Sequence, residues 1–204
     1  KHMKRLLSYL FLVQVLTFSL QSWTKADDIR DFEIEEISIG DSLLDYFSLT
    51  EVINKQNSYS DKGYQYKSKD YFVLTFTSDK FNNYDSIQVF IKDGDKDYKI
   101  QHISGLTAMD INECYSQFDK IEKALNSLFS NADKTNKQKR KHVFDDTGKS
   151  TTTDVYYYLK NGSYAALVCV DWSNEIANKY QWDDVLRVEM GSANFVKWFD
   201  NEAY

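Results

Sequence analysis

The stretch Ser150–Trp172 constrains the fold more than any other. Two runs rich in β-branched and aromatic residues flank the pair Asn161-Gly162. This arrangement predicts a β-hairpin with a type I′ turn, because Asn and Gly tolerate the positive φ that both central residues need. A two-residue loop sets Tyr157 opposite Ala166, and the strands are predicted to lie centrally in a sheet.

In this predicted register, both faces of the hairpin carry apolar side chains. The first face carries Val155, Tyr157, Leu159, Tyr164, Ala166, Val168, Val170 and Trp172, and the second carries Tyr156, Tyr158, Leu167 and Cys169. Because both faces are largely apolar, we expect each of them to be covered by another element.

One long helix is predicted at Thr107–Ser130, where Thr107 and Asp110 resemble the start of a capping box. Apolar residues recur there at helical spacing. The stripe consists of Cys114, Phe118, Ile121, Leu125 and Leu128.

Two cysteines, Cys114 and Cys169, are present. In an exported chain such a pair is most often a disulfide; two buried free thiols, a reactive thiol or a metal ligand are the alternatives. A bridge would place the helix across the Cys169 face of the hairpin, over Leu167 and Tyr156. It would stabilise the fold by about 4 kcal/mol.

The N-terminus has the pattern of a secretory signal peptide. Residues 1–2 precede Met3 and are interpreted as a cloning remnant; a basic pair at 4–5 and the apolar run Leu6–Leu20 follow. The apolar run is shorter than the roughly 20 residues of a membrane span. We expect cleavage after Ala26, with a retained N-terminal anchor as the alternative. Residues 27–204 would then be a single periplasmic or secreted domain.

This expected mature chain is strongly acidic. The full sequence has 25 Lys and Arg and 31 Asp and Glu, and four of the basic residues lie in 1–26, which leaves a formal net charge of −10. Such a balance argues against nucleic acid as a general partner. No stretch after residue 26 is apolar enough to predict a membrane span.

Shorter elements are predicted around the hairpin and the long helix. The first is a strand near Phe32–Ile34, and a helix opened by Gly40 or Asp41 follows, with Leu43, Leu44 and Phe47 facing inward. Ser48-Leu49-Thr50-Glu51 matches a capping box and predicts a helix at Thr50–Lys55. Strands are predicted at Asp70–Ser78, Ser86–Lys92, Asp97–Ser104 and Trp182–Met190, and a last helix is capped by Ser192. The predicted fold class is α+β: an antiparallel sheet of about six strands, with the long helix packed on one face and short flanking helices.

Two short motifs resemble cofactor sites incompletely. Asp93, Asp95 and Asp97 begin like a calcium loop, but Tyr98 and Ser104 replace the required Gly and Glu, so we expect a solvated turn, with a calcium site as the alternative. Gly148-Lys149-Ser150 imitates the end of a phosphate-binding loop without its preceding glycine.

The mature chain has two histidines, His102 and His142, whereas zinc needs three or four ligands at recognisable spacing. We expect His102 to be half-buried on a strand. The sequence thus predicts no metal, no cofactor and no catalytic residue.

The segment Asn131–Lys149 is predicted to be a polar loop with a basic run. Its cations are Lys134, Lys137, Lys139, Arg140 and Lys141. A mobile, solvated loop is the usual interpretation. The alternative is an anion-docking loop for lipid headgroups, polyanionic glycans or an acidic partner.

The C-terminal half is rich in aromatic residues, including Trp172, Trp182, Trp198 and the run Tyr156–Tyr158. Exposed aromatic rings of exported proteins can stack on sugars. Core packing explains Trp172 equally well, because it lies on an apolar face of the predicted hairpin.

Phe32–Ser48, Gly148–Ser173 and the stretch Asn-Glu-Cys-Tyr around Cys114 resemble a group of small exported proteins of marine alphaproteobacteria. The similarity covers most of the mature chain. It implies export and a single domain, and it implies no catalytic residue, cofactor or partner.

We therefore expect a soluble, non-enzymatic periplasmic domain that binds a protein or an envelope component. One alternative is an envelope hydrolase whose acidic or thiol residues meet only in the folded chain. Another is a carrier that holds a small ligand between sheet and helix.

Overall fold

The computed structural model describes residues 28–59, 66–79 and 81–203, so the expected signal peptide and its cleavage site lie outside the described residues. The described chain forms eight strands and four α-helices. The strands are β1 (Tyr71–Phe76), β2 (Ser86–Lys92), β3 (Ile100–Ala108), β4 (Asp133–Lys134), β5 (Gln138–Lys141), β6 (Thr151–Tyr158), β7 (Tyr164–Asp171) and β8 (Val185–Gly191). The helices are α1 (Leu49–Tyr59), α2 (Ile111–Leu128), α3 (Asn174–Tyr180) and α4 (Ala193–Asn201).

All eight strands belong to one antiparallel sheet. Its order is β1-β2-β3-β8-β7-β6, and β4 and β5 pair one after the other with the outer edge of β6. β8 lies between β3 and β7 and so joins the N-terminal meander to the hairpin. The predicted antiparallel α+β fold is confirmed, but the prediction of about six strands missed the short edge strands β4 and β5.

The hairpin β6–β7 forms, but its predicted register is wrong by one residue. Tyr156, not Tyr157, lies opposite Ala166. The loop contains three residues: Asn161 keeps a negative φ and Gly162 alone adopts +85°. This is the turn followed by a glycine bulge that three-residue hairpin loops use.

The side chain of Asn161 explains why the wider loop forms. Its Oδ1 accepts the backbone N–H of Ser163 at 2.9 Å and the Ser163 hydroxyl at 2.6 Å. Asn161 therefore stabilises the turn by capping it with its side chain. It does not adopt the left-handed conformation that a type I′ turn requires.

The register shift exchanges which residues of the two strands share a face. Because side chains alternate along a strand, Val155 and Tyr157 now lie with Leu167 and Cys169 on the face that packs against α2. Tyr156, predicted beneath the helix, points to the opposite face.

Helix α2 packs on β7 and β8 with the predicted stripe buried. Its N-cap is Asp110, because β3 continues to Ala108 and leaves no room for a helix start at Thr107. Cys114 and Cys169 form a disulfide with their Cα atoms 6.0 Å apart, and both residues are fully buried. The disulfide prediction is confirmed, and the alternatives that require a free thiol are excluded.

The N-terminal segment extends the core without forming the predicted strand. Phe32–Ile34 contributes one isolated bridge, Ile34 to Ile37, and buries its apolar side chains beside α2. The predicted helix after Asp41 shortens to a 3-10 turn, Leu43–Asp45, in which Leu43 is buried. The capping box at the start of α1 is confirmed, since Ser48 and Glu51 bond each other's backbone N–H groups.

The face of the sheet opposite α2 is covered at β1–β3 by α4, which Ser192 caps as predicted. Phe195 and Trp198 of this helix are 2% and 3% exposed, and their rings contact Phe90 and Tyr71 of the sheet. Within residues 28–59, 66–79 and 81–203, every helix is too short or too polar to cross a bilayer.

The disulfide should account for a large part of the stability. We expect Cys114→Ala/Cys169→Ala to lose about 4 kcal/mol of unfolding free energy, because the bridge restricts a loop of more than 50 residues in the unfolded chain. Urea unfolding measures this loss. Equal stability of the double variant and the oxidised parent would contradict the expectation.

Candidate functional site

Towards β5–β8, the face of the sheet opposite α2 is lined by long side chains of the strands themselves. They are Arg140, Asp154, Tyr156, Tyr158, Arg187 and Glu189. We call this surface the arginine–tyrosine face. Tyr158 and the Arg140 side chain are 36% and 52% exposed.

Strand pairing brings these side chains together. Directly opposite residues share a face of the sheet. One row across β6, β7 and β8 consists of Tyr156, Ala166 and Glu189. The next row consists of Asp154, Val168 and Arg187. Ala166 and Val168 are 0% and 5% exposed. The small residues of β7 therefore form an apolar floor beneath the longer side chains of β6 and β8.

Two arginine–carboxylate pairs lie on this face. Arg140 donates to Asp154 from Nε at 3.1 Å and from Nη2 at 2.7 Å, and Arg187 donates from Nη2 to Glu189 at 2.9 Å. The carboxylate side chains are 4% and 6% exposed, whereas the arginine side chains are 52% and 25% exposed. The anionic half of each pair is buried, whereas Arg140 reaches solvent and Arg187 is partly exposed.

The face retains unused hydrogen-bonding capacity. A guanidinium has five N–H donors, and Arg187 spends only its Nη2 on Glu189. Its Nε is buried and has no hydrogen-bond partner in the described chain. The Tyr156 hydroxyl likewise makes no hydrogen bond to a described residue.

Tyr156 lies within the electrostatic reach of both arginines. Burial, with smaller contributions from Glu189 and Asp154, raises the pKa of the Tyr156 phenol, and Arg140 and Arg187 oppose that rise. The Cζ atom of Arg140 also lies 5.8 Å from the centre of the Tyr156 ring.

A buried polar chain connects this face to the region under α4. His102 is hydrogen-bonded to the Tyr164 hydroxyl through Nδ1 at 3.0 Å and to Ser104 through Nε2 at 2.8 Å, and Ser104 donates to Glu189 at 3.4 Å. Tyr164 reaches His102 by crossing Gly191, where a Cβ would lie 2.3 Å from its ring. His102 is thus 3% exposed, more deeply buried than predicted.

The contact between Ser104 and His102 resembles a nucleophile with its base, but it is closed to substrate. Ser104 is 0% exposed, and its hydroxyl is shared between His102 and Glu189. Burial lowers the pKa of His102 to about 4. The imidazole is therefore neutral at physiological pH and serves to satisfy buried polar groups.

The predicted tryptophan platform is divided in the structure. Trp172 and Trp182 lie 4.9 Å apart, in a cluster with His142, Phe144 and Tyr180 at the end of β7. Tyr180 and Trp182 are each 38% exposed. Trp198 belongs instead to the core under α4. Sugar stacking on the cluster stays a prediction, and Trp198 takes no part in it.

The basic segment predicted as a mobile loop is an ordered sheet edge. Its lysines contact carboxylates: Lys134, Lys137 and Lys139 pair with Glu122, Asp119 and Asp171 at 2.6, 2.8 and 3.5 Å. Lys141 makes no ion pair with a described residue. Most of the charge that would attract a polyanion is thus compensated, and Arg140 alone joins the arginine–tyrosine face. Anion docking by the whole run stays a prediction.

The remaining motifs have local structural roles. The Asp95 carboxylate accepts the backbone N–H groups of Asp97 and Lys99 at 2.9 and 3.0 Å, so it organises the turn before β3. Ser150 donates to Asp145 at 2.6 Å inside a buried loop. No cluster of three or more His, Cys, Asp or Glu side chains suited to a metal occurs in the part of the chain that the structure describes.

A cavity of about 640 Å³ lies beside the turn that contains Asp95, and its lining includes Asp70, Asp93 and Lys197. It is on the surface near α4. The space between α2 and the sheet, where a carrier would hold its ligand, is filled by core side chains such as Phe118 and Leu167.

Arg187 and Glu189 were not predicted from the sequence as site residues. Their signal was the alternation of β8, where Leu186, Val188 and Met190 occupy one face and leave the two charged residues on the other. Two opposite charges at alternate positions of an inner strand predict a shared, partly buried site. Comparisons with protein families, curated proteins and solved structures gave no match.

Acidification should destabilise the protein through His102. Its pKa falls from the usual 6.5 to about 4 on folding, so between these pH values the unfolded chain binds a proton that the folded chain does not. We expect His102 to account for a loss of about 2 kcal/mol between pH 7 and pH 5, measured by urea unfolding. His142, whose pKa burial also lowers to about 4, adds to the loss.

His102→Gln should weaken this pH dependence. Phe195→Leu is the matched control: the ring of Phe195 lies 4.6 Å from that of His102, so the variant disturbs the same region without removing a titrating group. The control should keep the parental slope. Equal slopes in His102→Gln and the parent would exclude His102 as the source.

Proposed function

We propose that the protein is an exported, non-enzymatic domain that binds a protein partner through the arginine–tyrosine face. One observation carries the proposal: the half-exposed Arg140 and the partly exposed Arg187 lie above carboxylates that are almost fully buried. Arg and Tyr are enriched among the residues that dominate protein interfaces. Export is supported by the basic and apolar N-terminal sequence and is compatible with the buried disulfide.

The aromatic cluster extends the same surface. His142 directly follows β5 and Trp172 directly follows β7, so the cluster begins where two strands of the face end. Tyr180 and Trp182 add partly exposed rings. Large aromatic side chains provide contact area at a low cost in conformational entropy, which suits an interface that must bind without rearranging.

A hydrolase has less support in the described chain. Asp154 and Glu189 are each held by an arginine, and Ser104 is inaccessible to solvent. A general acid or nucleophile must reach the reacting atoms of a substrate. The buried groups of this face are therefore better suited to holding its two arginines in position.

Site-specific photo-crosslinking tests the proposal in the native host. Tyr158→p-benzoyl-phenylalanine places the probe on the arginine–tyrosine face, and Tyr46→p-benzoyl-phenylalanine is the matched control, because the two tyrosines are 36% and 39% exposed and lie in different regions of the fold. We expect a discrete protein adduct from position 158 and none from position 46. No adduct at 158, or the same adducts at both positions, would contradict the proposal.

A further inference from the structure

We propose that the arginine–tyrosine face contains a subsite for a side-chain carboxylate of an acidic protein partner, formed by the guanidinium groups of Arg140 and Arg187 and the hydroxyl of Tyr156. The inference rests on the proposed function and adds the chemistry of the partner.

The charge distribution favours an anion at this position. Each arginine is the more exposed member of its pair, with 52% of the Arg140 side chain and 25% of the Arg187 side chain exposed, and each carboxylate is buried beneath it. A group that approaches from solvent therefore meets cationic N–H donors first. The remainder of the acidic chain acts less strongly at this point, because the screening length in physiological salt is about 8 Å.

The unused donors favour a carboxylate in particular. The Nη1 groups of Arg140 and Arg187 make no hydrogen bond to a described residue, and neither does the Tyr156 hydroxyl. The planar guanidinium fork matches the two oxygens of a carboxylate. The small residues Ala166 and Val168 hold these donors above an apolar floor, where the competition from water is reduced.

The surroundings favour a protein over an anionic membrane. Membrane attraction needs several uncompensated cations, each worth about 1 kcal/mol near the surface. Here three nearby lysines and both arginines are paired with carboxylates, so few uncompensated cations remain among the described residues. Two arginines beside Tyr158 and the Trp172 cluster instead resemble the aromatic and arginine anchors of a protein interface.

Titration of the ¹⁵N-labelled protein with a hexaglutamate peptide tests the subsite, observed through the arginine side-chain Nε–H signals. We expect the signals of Arg140 and Arg187 to shift. The signal of Arg30, which pairs with Asp28 outside the face, should not shift. Hexaglutamine should shift none of them. The shifts caused by hexaglutamate should become smaller when the salt concentration is raised from about 50 to about 500 mM, because salt screens charge contacts.

Variants identify the atoms involved. Tyr156→Phe keeps the ring and removes the hydroxyl, and Arg187→Lys keeps the charge near Glu189 but removes the fork. We expect each to weaken hexaglutamate binding about tenfold, the usual loss for a hydrogen bond to a charged group. Arg30→Gln is the control and should bind as the parent does. Unfolding curves show whether each variant is folded, and Tyr156→Phe provides the test if Arg187→Lys is not.

Three results would overturn the subsite: no shift with hexaglutamate, equal shifts with hexaglutamine, or unchanged affinity of a folded Tyr156→Phe variant. Binding to phosphatidylglycerol vesicles without a response to hexaglutamate would also overturn it, in favour of a lipid. An adduct at position 158 without hexaglutamate binding would refute the subsite and leave the proposed surface intact. Hexaglutamate binding without an adduct at position 158 would instead refute the proposed protein-binding surface.

Discussion

The register of the β6–β7 hairpin determines the composition of both faces of the sheet. With three loop residues, Val155 and Tyr157 face α2 and its disulfide, while Tyr156 and Tyr158 face outward. With the two-residue loop, the alternation of β6 relative to β7 would be reversed, and the helix would pack against Tyr156. The core under α2 and the arginine–tyrosine face are therefore consequences of the same turn.

Buried charge is the second constraint on the fold. Asp154 and Glu189 are buried in a largely apolar part of the sheet. An unpaired carboxylate at either position would be strongly destabilising. Each is paired with an arginine that is more exposed than itself, and Glu189 also accepts from Ser104. The pairing leaves the Nη1 groups of both arginines without a hydrogen bond to a described residue. The unused donors of the face are thus a consequence of the need to satisfy the carboxylates below it.

Local patterns predicted the elements that depend on local interactions. The stripe of α2, the capping box at Ser48 and the cap at Ser192 each involve residues within a few turns of chain. The disulfide was predicted from the expected export of the chain and from its two cysteines. The hairpin itself was recognisable, but Asn-Gly suits both loop lengths, and only the contacts of Asn161 with Ser163 distinguish them.

Long-range features were beyond the reach of local patterns. β4 and β5 consist of polar residues that become strands only because β6 offers an open edge. The link between Ser104 and Glu189 joins residues 85 positions apart, and it exists only because β8 inserts beside β3. Alternation in β8 indicated a polar face, but only the strand order shows that this face meets Asp154 and Tyr156.

The most direct test of this account is the hairpin register in solution, measured by cross-strand nuclear Overhauser effects between backbone protons of β6 and β7. The structure predicts that Tyr156 is opposite Ala166 and that Asp154 is opposite Val168. Contacts between Tyr157 and Ala166 as the directly opposed pair would establish the two-residue turn. In that case Tyr156 would face α2, and the arginine–tyrosine face described above would not exist.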